Sequence, residues 1–185
     1  MSELKLSVQD LVRYQDAQYL LQCGLRTRAV HLATGISEEH CRKIYTHIHG
    51  TRPPSGKTRA LDTILSANRH RHLEVSLYIL IYTVLADDCG EEVDYLALPG
   101  AHKEYLQLRD RFLSCESRPL DINDGYVISR DYRSGILWLH PCGACGHNYV
   151  QADHSRVMPA SCPWCGHGAE QQGGHVAPLA AAHAA

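Results

Sequence analysis

Apolar positions recur along this chain mostly at helical spacing, and the breaks between them fall on glycine and proline. Ser7 stands before Val8, Leu11, Val12 and Tyr19, and Gly24 follows, so the spacing predicts a helix over 7–23 with Ser7 as its N-cap. A second helix is predicted over 25–34, ended by Gly35. Ser37 then caps a third, with Glu38 and Glu39 in the first turn, where the helix dipole favours acids. It carries Cys41, Ile44, Tyr45 and Ile48 to a stop at Gly50. Pro53, Pro54 and Gly56 make 51–57 a loop. One long helix is predicted over 59–86. Its second half (Leu73, Leu77, Leu80, Ile81, Val84, Leu85) is apolar on most sides, which suits burial between other helices. After a turn at 87–90, helices are predicted over 91–98 and 102–115, split by Pro99 and Gly100, and over 122–132, interrupted by Gly125. Residues 136–140 read as a strand.

Composition sets the class. Of 185 residues, 44% are hydrophobic and 21% charged, the balance of a soluble protein with a core. The most apolar run, 75–86, is too short to cross a bilayer. Residues 1–10 lack an apolar run behind a basic start, so no secretory signal and a cytoplasmic location are expected. There, paired cysteines usually mean metal. Cys23, Cys41, Cys89 and Cys115 stand singly and are expected to be small buried hydrophobes. The net charge of −2 hides an asymmetry. From Arg26 to Arg71 nine Arg or Lys face three acids, whereas from Asp87 to Asp124 ten acids face four bases. A basic first half suits a polyanion; the acidic stretch sits away from it or meets a basic partner.

The strongest motif is Cys142 and Cys145, then sixteen residues, then Cys162 and Cys165. Two C-x2-C pairs at this separation match a zinc ribbon, each pair forming a tight knuckle that aims two thiolates at one metal. Four soft thiolates suit a tetrahedral, closed, structural Zn²⁺. Reduced thiols without metal, or iron on the same ligands, are the alternatives. His147 and His167 each follow two residues after a cysteine, but four sulfurs already suffice. The stretch 27–49 has the layout of a helix-turn-helix. Val30, Thr34, Ile36, Cys41 and Ile44 would face inward, and Glu39, Arg42, Lys43, Thr46 and His47 outward. His31 sits where that motif usually has a small residue, and a plain helical hairpin is the equal alternative. Arg52, Lys57 and Arg59 follow directly. The candidate DNA contacts are therefore Arg28, Arg42, Lys43, Thr46, His47, Arg52, Lys57 and Arg59. The run GTRPPSGKT from Gly50 resembles a phosphate-binding loop but has one residue too many between its glycines, two prolines, and a helix where a strand is required. No histidine pairs with an acid at a metalloprotease-like spacing, so an enzyme is not expected. The fold class is mainly α. A helical domain with the helix-turn-helix-like segment spans 1–133, and a small zinc-ribbon module with four cysteine ligands spans 134–167. A disordered tail is expected over 168–185, which is too poor in apolar residues to fold.

Together these residues resemble the FlhC family of flagellar transcriptional activators. The matching features run in order. They are Asp16, Ala17 and Gln18 in an N-terminal helix, the helix ending in Arg42 to Tyr45 (RKIY), the loop GTRPPSGK from Gly50 to Lys57, the SGILWL run from Ser134, and the two cysteine pairs with their sixteen-residue gap. The resemblance covers most of 10–166. It implies a helical body with a zinc module, and a hetero-oligomer with FlhD that binds flagellar promoter DNA and recruits RNA polymerase, with no membrane partner. The segment KTRALD from Lys57 departs from the family, which carries a Leu-Pro segment with Ser and Trp there. The departure leaves a second reading open, a zinc-containing interaction scaffold or a regulator with other targets.

Overall fold

The computed structural model describes residues 7–65, 68–88, 90–113, 118–152 and 161–168. In chain order the elements are α1 (Val8–Gln22), α2 (Thr27–Thr34), α3 (Glu38–His49), α4 (Leu61–Leu65), α5 (Arg69–Leu85), α6 (Ala97–Phe112), α7 (Ile122–Arg133), β1 (Leu137–Pro141) and β2 (Asn148–Ala152). The protein is mainly helical. Among the described residues no helix is long and apolar enough to cross a membrane.

Local chemistry sets the first three helices. Ser7 Oγ accepts from the Asp10 amide at 3.1 Å while the Asp10 carboxylate accepts from the Ser7 amide, a reciprocal cap on α1. Gly35 (φ 72°) ends α2 in the left-handed conformation. Ser37 Oγ then caps α3 through the His40 amide. The three helices pack on one another pairwise, burying Ala17, Leu20 and Leu21 of α1, Ala29 and Val30 of α2, and Ile36 and Cys41.

The middle of the chain departs from the pattern. The single helix predicted over 59–86 is two, because Asn68 is extended (φ −101°, ψ 126°) and caps α5 by accepting from the His70 amide. The apolar end of α5 is not buried all round. Val75, Tyr78, Ile79 and Tyr82 are inside, but Val84 is 82% exposed and Leu85 46%. Residues 91–96 form turns, and α6 runs straight through Pro99 and Gly100. Pro99 is the third helical residue, where an amide has no acceptor within the helix, so a missing N–H costs nothing. The Asp94 carboxylate accepts from the amides of Leu96 and Ala97 instead.

Gly125 does not interrupt α7, which opens on a reciprocal cap between Asp121 and Asp124. A Cβ on Gly125 would lie 2.5 Å from Cζ and 2.9 Å from Cε2 of Tyr78, which is fully buried. Gly→Ala inside a helix ordinarily gains up to about 1 kcal/mol. Here the overlap should reverse the sign, and G125A is expected to lose about 1–3 kcal/mol, as overpacked cores do. Urea denaturation measures it; an equal or higher midpoint would mean that the Tyr78 ring swings aside freely.

Between α5 and α6 lies a buried ionic group. Glu74, fully buried, accepts from Tyr105 Oη at 3.0 Å and Arg109 Nε at 2.6 Å, and Arg71 approaches its other oxygen at 2.8 Å. Tyr105 Oη in turn accepts from the Leu120 amide. Beyond α7, β1 and β2 pair antiparallel, with Leu139 opposite Val150. Leu137 and Val150 belong to the main core, whereas Cys142, Tyr149 and Cys162 form a small cluster of their own with Cys145 and Trp164 against it. The sheet is fastened to α5. Ser76 Oγ accepts from the Val150 amide at 3.1 Å, and the buried His72 Nε2 lies 2.6 Å from the Val150 carbonyl. Burial lowers the His72 pKa, so the ring is neutral and Nε2–H donates. Of the single cysteines, Cys41 is buried and Cys23 half-buried. Cys89, Cys115 and the tail expected over 168–185 lie outside the described residues, except that Gly168 bridges to Ser161.

Candidate metal centre and nucleic-acid interface

The two cysteine pairs fold into matching knuckles. In the first, which is also the turn between β1 and β2, the Cys142 amide donates to the His147 carbonyl and the Gly146 amide to the Cys142 carbonyl. In the second, the Cys162 amide donates to the His167 carbonyl and the Gly166 amide to the Cys162 carbonyl. Gly146 (φ 75°) and Gly166 (φ 80°) occupy the one left-handed position each turn needs. The four sulfurs lie within 4.8 Å of one another, with Cys142 Sγ 3.7 Å from Cys165 Sγ and Cys145 Sγ 3.9 Å from Cys162 Sγ. A tetrahedron with metal–sulfur bonds of about 2.3 Å has edges of about 3.8 Å, which these two separations match, so the four sulfurs are close enough to hold one metal ion.

Electrostatics points the same way. The amides of Cys145 and Ala144 aim at Cys142 and pull its thiol down to about 6, while burial pushes Cys162 up to about 12. Four sulfurs this close cannot all ionise without a cation among them. The surroundings fix the knuckles. Trp164 Nε1 donates to the Asn148 carbonyl, and His147 Nδ1 meets the Cys145 carbonyl at 3.1 Å, outside the sulfur group. Arg69, the first residue of α5, donates from Nε and Nη2 to the carbonyls of Pro163 and Trp164, both at 3.0 Å. Neither Arg69 nor His72 is legible as a support of this centre from sequence, because their partners lie far along the chain.

The second candidate site lies at the other end of the sequence. Val30, Thr34, Ile36 and Cys41 are buried and Ile44 is half-buried, while Glu39, Arg42, Lys43, Thr46 and His47 of α3 point outward, at least partly exposed. His31 fits at its position because its Nδ1 reaches the Ile36 carbonyl at 2.7 Å, across the turn. Arg42, Lys43, Thr46 and His47 line a shallow depression with Glu39. Arg28, Arg42, Thr46 and Arg52 line a deeper groove that also includes Arg26, Glu38 and the loop Pro53–Gly56. Arg26, absent from the candidate contacts, ties this loop down by donating to the Gly56 carbonyl at 2.8 Å, while its own amide donates to Asn123 Oδ1 of α7. Arg42 pairs with Glu38 at 2.8 Å and Lys43 with Glu39 at 2.7 Å, both at the surface. Lys57 is exposed just beyond the groove loop. Arg59 differs from its fellows: half-buried, it is spent on ion pairs with Asp121 and the buried Asp124 of α7. The KTRALD segment therefore uses its arginine to hold the loop to the helical body.

A family model described as "Flagellar transcriptional activator (FlhC)" matches residues 3–174. The chain is similar to the flagellar transcriptional regulator FlhC of Variovorax paradoxus (strain S110), with 27% identity over 155 residues, 82% of this chain and 73% of that one. It is similar to the FlhC of Serratia marcescens, with 23% identity over 163 residues, 87% of this chain and 81% of that one. A third relative, the FlhC of Thauera aminoaromatica, is 23% identical over 148 residues, 79% of this chain and 73% of that one.

Proposed function

Because this chain belongs to the FlhC family of flagellar transcriptional activators, we propose that it is a cytoplasmic DNA-binding subunit that acts with an FlhD-type partner on flagellar promoters and recruits RNA polymerase. The observation that carries the DNA-binding part is the sorting of residues on α2 and α3. Ala29, Val30, Thr34 and Cys41 are buried together, while Arg28, Arg42 and Thr46 line one groove with Arg52. In this reading α2 and α3 form the helix-turn-helix. The outer face of α3 (Arg42, Lys43, Thr46, His47) meets base edges, and Arg28, Arg52 and Lys57 meet phosphates. Arg59 positions the loop rather than touching DNA.

Cys142, Cys145, Cys162 and Cys165 are the ligands of one Zn²⁺. Four thiolates fill a tetrahedral shell and leave no open position, so the ion would supply rigidity and not catalysis. The protein's own residues hold that module against α5 through Arg69, His72 and Ser76.

The test is a promoter-binding assay on the complex co-expressed with the FlhD-type subunit, across a salt series. Affinity should fall steeply with salt, and R42A or K57A should each flatten the logarithmic slope by roughly one. A complex that forms but binds no promoter DNA in a salt-sensitive way would favour the scaffold reading.

A further inference from the structure

We propose that the groove between the start of α2, the face of α3 and the loop Pro53–Gly56 is a phosphate-binding cleft, and that it seats a backbone phosphate of the DNA. Its place on DNA rests on the reading above; its chemistry does not. Four guanidiniums line it, those of Arg26, Arg28, Arg42 and Arg52, against a single carboxylate, Glu38. That carboxylate is already committed to Arg42 at 2.8 Å. Among the described residues Arg26, Arg28 and Arg52 form no ion pair, which leaves three uncompensated positive charges in one concavity, with Arg26 held by the Gly56 carbonyl.

Such an arrangement is self-repelling unless an anion enters, and the planar fork of Arg matches phosphate oxygens two at a time. The walls are built to keep it. Pro53 and Pro54 stiffen the loop, Gly56 turns it with φ 106°, and Arg26 anchors its end through the Gly56 carbonyl. Thr27, Thr46 and Ser55, each with a hydroxyl, also line the cleft. The cleft lies beside the outward residues of α3, so a phosphate held there fixes how that helix meets the bases, without itself reading sequence.

The experiment uses the full complex and promoter duplexes in which one backbone phosphate at a time is a neutral methylphosphonate. One such position should weaken wild-type binding roughly tenfold, the scale of one charge-assisted hydrogen-bond pair. The same position should cost R52A and R28A almost nothing, because the variants have already lost the contact. Inorganic pyrophosphate is titrated in parallel, read by the melting temperature. If wild type binds promoter DNA but no phosphate position couples to Arg28 or Arg52, the cleft is overturned while DNA binding stands. If DNA does not bind but pyrophosphate raises the melting temperature in wild type and not in R52A, the cleft stands as a site for free phosphoanions and the DNA reading falls. If neither ligand binds, both fall.

Discussion

Cys162→Ser is expected to strip the chain of its metal and to unfold the region around both knuckles. Cys162 is 1% exposed and packs with Cys142 and Tyr149 in a cluster that has few other apolar residues. So small a core cannot hold the two turns by burial alone, although Leu137 and Val150 of the strands stay in the main core. In modules of this kind the free energy of metal binding is the free energy of folding, about 10–16 kcal/mol in zinc-finger peptides. A hydroxyl in place of one thiolate forfeits much of that. Metal analysis of the wild type should give one ion per chain, and the variant close to none. The Trp164 fluorescence should shift as its hydrogen bond to Asn148 is lost. Cys41→Ser serves as the control, being equally buried but outside the sulfur group; it should keep the ion. If Cys162→Ser aggregates, a chelator titration of the wild type reads the same linkage. A metal-free sample with an unchanged melting temperature would refute the coupling.

Glu74→Ala should be nearly as damaging, through a different cause. The carboxylate is fully buried and serves Tyr105, Arg109 and Arg71 at once. Removing it takes from the Arg109 guanidinium, only 8% exposed, its buried counter-charge and leaves it the exposed Asp110 carboxylate at 3.6 Å. Breaking one side of a buried pair costs about 3–5 kcal/mol, against a total stability of roughly 5–15 kcal/mol for a domain. Urea denaturation should show the midpoint falling steeply. Tyr105→Phe removes two hydrogen bonds, the one to Glu74 and the one from the Leu120 amide, but keeps the ion pairs, so it should cost less, about 1–3 kcal/mol. Equal losses for the two variants would show that the ions contribute nothing beyond the packing of α5 on α6.

What the sequence discloses of this fold follows the range of the forces involved. The caps at Ser7 and Ser37 and the glycine stops at Gly35 and Gly50 act within four residues, and the first three helices are legible almost to their ends. The cysteine pairs are legible because two short spacings and one gap define the centre. Long-range features are not. Nothing near Pro99 says whether a helix starts just before it or stops there; the outcome depends on Asp94 reaching the amides of Leu96 and Ala97. The exposure of Val84 and Leu85 depends on which face of α5 finds α6 and the sheet. Arg59 reads as one more free cation until α7 brings Asp121 and Asp124 beside it, more than sixty residues on.

The likeness of the two knuckles bears on the order in which they capture the ion. The first is closed by a hairpin whose strands are adjacent in sequence, so Cys142 and Cys145 can converge as soon as that hairpin leaves the ribosome. The second pair must return across the sixteen residues that follow Cys145, and the length-dependent part of closing such a loop is about 2.5 kcal/mol. Cys142 and Cys145 would therefore be poised to hold an ion before Cys162 and Cys165 arrive to complete the shell. An ion held by the first pair alone would be open to a competing chelator, whereas one held by all four sulfurs would leave only as the knuckles open.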